Sequence, residues 1–157
     1  MGIEIERKFL VDHEKWNQVA KPAGTYFRQG YLLNENNRTL RVRVADTRAF
    51  ITIKGGTSGI SRKEFEYEIP PADGIELLNN FAISQVEKTR YCIDFAGKLW
   101  EIDEFYGDNA GLITAEIELK HEDEAFELPE WVAVEVSMDA RYYNSNLSVN
   151  PFNTWNK

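Results

Sequence analysis

Charged side chains recur at two-residue spacing along this chain: Glu4, Glu6 and Lys8; Arg41 and Arg43; Glu64, Glu66 and Glu68; Lys88 and Arg90; Glu101 and Asp103; Glu116, Glu118 and Lys120. Two kinds of chemistry follow from these types. Clustered carboxylates suit a hard divalent cation such as Mg²⁺ or Mn²⁺, which prefers oxygen ligands and completes its shell with waters and phosphates. Several cations spread along a line suit a linear polyanion, and guanidinium forks can bind two oxygens of one phosphoryl group. Lys8, Arg41, Arg43, Lys54, Lys88 and Arg90 are the candidates for phosphate. Glu4, Glu6 and Glu118 are the first candidates for metal, with Glu116, Glu66 and Asp103 behind them.

Such sets act together only if a sheet gathers them. Side chains at i and i+2 share one face of a strand, so the intervening residues describe the opposite face. That opposite face is apolar: Ile3 and Ile5, Val42 and Val44, Ile51 and Ile53, Phe65, Tyr67 and Ile69, Tyr91 and Ile93, Trp100 and Ile102, then Ala115, Ile117 and Leu119. Extended segments are expected at about 3–11, 25–33, 39–45, 49–54, 62–69, 85–95, 98–106 and 113–121. Turn-forming clusters separate most of them: 34–37, 55–59, 96–98 and 107–111. Asp12 can cap a helical turn carrying Trp16 and Val19, and Pro71-Ala72-Asp73 opens a helix carrying Ile75, Leu77, Leu78 and Phe81. Beyond Pro129 the pattern predicts a strand over Trp131 to Val136 and a final helix over Arg141 to Leu147.

An ordinary antiparallel sheet with one solvated face would also alternate. Its polar face, however, would normally mix threonine, serine and glutamine among the charges, and here it is almost wholly ionic. Like charges about 7 Å apart repel by about 0.6 kcal/mol in water and about 2.4 kcal/mol at an effective dielectric near 20, so each doublet needs counter-charges nearby. A closed interior supplies them, by facing acidic strands with basic ones. Closure also removes every free edge. The expected fold is α+β, predominantly β: an eight-stranded antiparallel closed barrel, ionic within, its apolar outer face packed beneath helices.

The bulk properties agree with a single domain spanning 1–157: 43% hydrophobic residues can build a core, and the 13% aromatic content favours strands. A net charge of −8 argues against a general nucleic-acid binder. Cys92 has no disulfide partner, no apolar run approaches the roughly 20 residues of a membrane span, and the charged Met1 to Leu10 segment lacks the core of a signal peptide. A soluble, cytoplasmic protein with no membrane or nucleic-acid partner is the expectation. A homodimer is compatible with the chain.

Glu4-Ile5-Glu6-Arg7-Lys8-Phe9 resembles the ExExK signature of CYTH domains, the triphosphate tunnel metalloenzymes. Gln29-Gly30-Tyr31, Arg41-Val-Arg43, Lys54, the 64–68 run, Lys88-Thr-Arg90, Glu101-Ile-Asp103 and Glu116-Ile-Glu118 follow in that family's order, so the resemblance covers essentially the whole chain. It implies an eight-stranded tunnel acting on triphosphates with Mg²⁺ or Mn²⁺. Metal would sit at Glu4, Glu6 and Glu118, the basic residues would line the phosphates, and Lys8, Arg41 and Lys88 would be catalytic. The start of the chain and Arg141-Tyr142-Tyr143-Asn144 near its end resemble the short bacterial inorganic triphosphatases. The expected activity is therefore hydrolysis of tripolyphosphate, with nucleoside triphosphates as further substrates. Alternatives are a class IV adenylyl cyclase, a thiamine triphosphatase, or a non-catalytic sensor of polyphosphate or nucleotides.

Other features read as structural. The 55–59 glycine loop lacks a GK[ST] ending and reads as a hairpin, His13 and His121 with Cys92 show no zinc spacing, and the four tryptophans read as packing anchors. Glu135 has no evident place in this scheme.

Overall fold

The computed structural model describes residues 2–155. Nine strands form in chain order: β1 (Gly2–Val11), β2 (Thr25–Glu35), β3 (Arg38–Ala45), β4 (Arg48–Gly55), β5 (Ser61–Ile69), β6 (Ser84–Phe95), β7 (Lys98–Phe105), β8 (Ile113–Glu118) and β9 (Val132–Glu135). The helices are α1 (His13–Asn17), α2 (Pro71–Phe81) and α3 (Asn144–Leu147), with short 3-10 turns at Gly107–Asn109, Ala140–Tyr142 and Phe152–Thr154. The sheet order is β5-β4-β3-β2-β6-β7-β8-β1-β9, and pairing of β5 with β1 closes the first eight strands into a barrel. Every pairing is antiparallel. β1 serves two neighbours along one edge, with Gly2–Ile5 on β5 and Phe9 and Val11 on β9.

Hairpin chemistry explains the tight connections. Ala96 and Gly97 both take positive φ, of 50° and 79°, between β6 and β7, as a two-residue turn compatible with strand twist demands. Asp12 accepts a hydrogen bond from the Lys15 amide and starts α1. Pro71 begins α2 from the first turn, where its missing N–H costs nothing. Two glycines seat α2 on the barrel: a Cβ on Gly74 would lie 2.7 Å from Ala49 Cβ, and one on Gly30 would lie 2.8 Å from Leu78 Cδ2.

The hydrophobic core lies outside the barrel wall. Phe9, Trp100, Ile102, Ala115 and Ile117 point outward and pack against Trp16, Leu119 and Trp131. Trp16 and Trp131 meet edge to face, with ring centroids 5.2 Å apart, so the buried tryptophans are packing anchors as expected. A second cluster of Val86, Phe105, Leu112, Tyr142 and Leu147 fixes the C-terminal segment.

The expected helical coat is incomplete. α1 and α2 cover their parts of the wall, but Ile3, Ile53, Phe65 and Tyr67 on β1, β4 and β5 remain exposed because no connection crosses that face. The C-terminal helix also differs from its expectation. Tyr143 is extended (φ −66°, ψ 135°) and splits the run into a 3-10 turn and the single turn of α3. The Tyr142 carbonyl, which a continuous helix would bond internally, accepts from Lys8 Nζ instead. Finally, β8 stops at Glu118, three residues before its expected end, where the chain turns and the Lys120 amide donates to Glu124. Among the described residues no helix is long and apolar enough to cross a membrane.

Candidate active site

One cavity of about 250 Å³ runs into the barrel, lined by Glu4, Glu6 and Lys8 of β1, Arg41 and Arg43 of β3, Lys54 of β4, Arg62, Glu64 and Glu66 of β5, and Lys88 and Arg90 of β6. Glu101 of β7 and Glu116 and Glu118 of β8 complete the ring. Strand register creates this arrangement. Lys8 stands opposite Glu116, Lys54 opposite Glu64 and Arg90 opposite Asp103, so basic and acidic residues face one another there as the repulsion argument requires, whereas Glu6 stands opposite Glu118 as a like-charged pair.

The β6–β7 side of the cavity is saturated with ion pairs. Arg90 grips Asp103 through Nε at 2.8 Å and Nη2 at 2.9 Å, and reaches Glu101 at 3.2 Å. Lys88 Nζ lies 2.7 Å from the second Asp103 oxygen. Burial raises the Asp103 carboxyl, but Arg90 and Lys88 outweigh it and hold the group at about 2. Lys88 is pulled down to about 7 by burial, against Asp103 and with the help of Arg90 and Arg43. Asp103 thus has both oxygens engaged and positions two cations.

The β3 side is different. Arg41 donates from Nη2 to Thr52 Oγ1 at 3.1 Å and approaches Glu66 only to 3.6 Å, while its buried Nε has no hydrogen-bond partner. Arg43 donates from Nε to Gln29 Oε1 at 3.0 Å, and its guanidinium sits 4.5 Å over the Phe27 ring, with no carboxylate within ion-pair distance among the described residues. Burial, followed by repulsion from Arg41 and Arg90, pushes Arg43 down to about 9. A guanidinium so shifted is a buried charge short of counter-charge.

The carboxylates form an equally unbalanced group. Glu4 is held by Lys54 at 3.0 Å and Arg62 at 3.3 Å; burial raises its pKa, but these cations bring it below the usual value. Lys54 is lowered, by burial first. Glu6 is pushed well above the carboxylate range by burial and by Glu116 and Glu4, and shares a hydrogen bond with Glu116. Glu116 goes well below it, because Lys8, Arg90 and Lys88 overcome its burial. Lys8 Nζ stands 3.3 Å from Glu116; burial lowers the ammonium, but Glu116, Glu6 and Asp103 raise it further, to a net increase. Glu118 is exposed at the rim and raised by its partial burial and by Glu4 and Glu64. Among the described residues no three carboxylates already stand at metal-holding spacing.

Every basic candidate read from the sequence lines this cavity, as do Glu4, Glu6, Glu66, Glu116 and Glu118; Asp103 is on the same inward face but fully buried beneath Lys88 and Arg90, and does not line it. Lys120 does not reach it, and Glu68 pairs with Arg48 on the outside at 2.9 Å. Arg62 is the cation that the sequence reading missed, although its position two residues before Glu64 on the same face signalled it. Tyr143, Asn144 and Ser145 also line the cavity, contributed by a segment without strand alternation. The 55–59 loop is a hairpin connection, yet Thr57 and Gly59 reach the cavity edge. Glu135 finds its place outside the barrel, clasping Arg7 at 2.8 and 2.6 Å.

Residues 2–148 match the CYTH domain. The chain is 46% identical over 153 residues to an inorganic triphosphatase of Acetivibrio thermocellus, covering 97% of each chain. It is 38% identical over 151 residues to an inorganic triphosphatase of Nitrosomonas europaea, covering 93% of this chain and 97% of that one. A crystal structure of an inorganic triphosphatase superposes with a TM-score of 0.66 at 34% identity, over 93% of this chain and 97% of the other.

Proposed function

The chain belongs to the CYTH family, and from that membership together with the cavity's chemistry we propose that it hydrolyses inorganic triphosphate, releasing phosphate from tripolyphosphate inside the barrel. The observation that carries this reading is the buried Arg41 Nε without a partner, beside an Arg43 that lacks a carboxylate. Leaving a buried charged donor unpaired costs on the order of 1–3 kcal/mol, and a phosphoryl oxygen would satisfy it. Both close relatives being inorganic triphosphatases supports the same substrate.

In this reading Lys8, Arg41, Arg43, Lys54, Lys88 and Arg90 contact successive phosphoryl oxygens and neutralise the charge that builds on them as the bridging P–O bond breaks. Lys8, Arg41 and Lys88 act on the reacting phosphoryl group. Asp103 holds Lys88 and Arg90 in place before substrate arrives. Glu6 faces Glu118 in the β1–β8 register, Glu4 shares its face two residues earlier, and all three offer oxygen donors only, which fits Mg²⁺ or Mn²⁺; Glu6 is raised by burial first and then by Glu116 and Glu4, and such a cation would relieve that surrounding negative charge. When bound, a divalent ion supplies Lewis-acid polarisation of the phosphate chain.

The test is phosphate release from tripolyphosphate, ATP and thiamine triphosphate at matched concentrations, with Mg²⁺, with Mn²⁺ and with chelator. Metal-dependent release, fastest on tripolyphosphate, is expected; pyrophosphate and cyclic AMP from ATP would instead identify a cyclase, and tight binding without turnover would identify a sensor.

A further inference from the structure

The C-terminal segment lies across the end of the barrel where β2 finishes and β6 starts. Asn34 Nδ2 donates to the Ser145 carbonyl at 2.9 Å, Ser84 and Ser148 hydroxyls meet at 2.8 Å, and Lys8 Nζ donates to the Tyr142 carbonyl at 2.9 Å. Asn144 enters the cavity from this segment, and its Oδ1 accepts from Lys88 Nζ at 3.0 Å and from Gln29 Nε2 at 3.1 Å.

The orientation of the Asn144 amide follows from its neighbours. In its charged form, paired with Asp103 at 2.7 Å, Lys88 Nζ has only donors, so the Asn144 atom facing it is then the oxygen. Gln29 agrees independently: its Oε1 accepts from the Arg43 guanidinium, which also has only donors, so its NH₂ must be the end that faces Asn144. Two incoming hydrogen bonds occupy both lone pairs of Oδ1. The Asn144 Nδ2 group, with two N–H bonds, is left with no protein acceptor among the described residues, on the wall of a cavity lined by cations.

We propose that Asn144 is a substrate-binding residue, its amide NH₂ donating to an oxygen of the terminal phosphoryl group that abuts the C-terminal segment. This rests on the triphosphate reading above. A residue placed only to fasten the segment would need its oxygen alone, and Asn144 keeps a fixed neutral donor in addition. It differs from the surrounding cations because it recognises an acceptor without adding charge, so it positions the chain end rather than neutralising it. Arg43, Gln29, Asn144 and Lys88 thereby form one relay, in which two phosphate-binding cations set the direction of a third donor.

Calorimetric binding of tripolyphosphate in chelator tests this with the wild type, Asn144→Ala and Asn144→Asp, each checked by thermal melting. Asn144→Asp keeps the acceptor for Lys88 and Gln29, so the segment stays docked while the donor becomes an acceptor. Both variants are expected to bind more weakly by on the order of 10–100-fold, the loss of one hydrogen bond to a charged group, with Asn144→Asp the weaker. Wild-type affinity in Asn144→Ala overturns the proposal even if Asn144→Asp is impaired, because repulsion alone would then explain the latter. Phosphate release is read separately. Turnover by the wild type with unchanged affinity in both variants removes only the role of Asn144; weakened variants with a wild type that never turns over remove the hydrolytic reading and leave that role standing. A wild type that does not bind tripolyphosphate overturns both.

Discussion

Two walls of the same cavity carry arginines of opposite circumstance. On β6, Arg90 spends three nitrogens on Asp103 and Glu101, and Asp103 also accepts from Lys88. On β3, Arg41 leaves a buried Nε unpaired and Arg43 has a glutamine oxygen and an aromatic face in place of a carboxylate. On the proposed reading, this is how a polyanion site is assembled in a closed barrel. One wall is held by its own ion pairs, which form without ligand. The other keeps a deficit of negative charge, which on the proposed reading the substrate makes good.

That contrast is broken most forcefully at Asp103. Asp103→Ala leaves Lys88 and Arg90 buried without their counter-charge, a loss expected to destabilise by about 3–5 kcal/mol. For a chain of this size it should lower the melting temperature by on the order of 10 °C. Arg41→Met should behave oppositely: the melting temperature holds or rises, since an unsatisfied buried donor is removed, while kcat for tripolyphosphate falls by roughly 10²–10³-fold, the size of effect seen when one donor to a developing charge is lost. If Arg41→Met instead melts early and retains turnover, the two walls have been assigned the wrong way round.

A sharper and smaller effect is protonic. Lys88, drawn down to about 7 by burial, is mostly neutral at pH 8 in the free protein, whereas a bound polyanion favours its charged form. Tripolyphosphate binding at pH 8 in chelator should therefore take up protons, approaching one per ligand, and the apparent binding enthalpy should change with the ionisation enthalpy of the buffer. At pH 6, below that pKa, Lys88 is already charged and its uptake should vanish. Equal uptake at both pH values would locate the titration elsewhere. The smallest effect belongs outside the barrel, where Glu135→Ala removes the half-exposed Arg7–Glu135 pair and should cost less than about 1 kcal/mol, with turnover unaltered.

How much of this was legible in sequence depended on whether a residue sat in an alternating strand. Glu4, Glu6 and Lys8, or Arg41 and Arg43, declare their common face by spacing alone, and the apolar residues between them declare the opposite one. Alternation carries no information about where a strand ends, so Lys120 was placed in the interior although the chain has already turned away at Glu118. Nor does it say which end of a strand lies within the barrel, so Glu68 was counted with Glu64 and Glu66 although it meets Arg48 outside. Asn144 and Tyr143 were illegible as site residues because single helical turns have no period to read, and their direction is set by partners more than 50 residues away, such as Lys88 at a separation of 56. The exposed Ile53, Phe65 and Tyr67 likewise show that an apolar face in sequence does not name its cover.

On the proposed reading the β3 guanidiniums, Arg41 with an unpaired Nε and Arg43 with no carboxylate partner, receive the phosphate chain. A crystal structure of the protein soaked with tripolyphosphate in chelator tests it most directly. Phosphoryl oxygens are expected within hydrogen-bonding distance of Arg41 Nε and of the Arg43 guanidinium, with the Arg90–Asp103–Lys88 cluster unmoved. Tripolyphosphate bound elsewhere, or bound in the barrel with Arg41 Nε still unpaired, would contradict it.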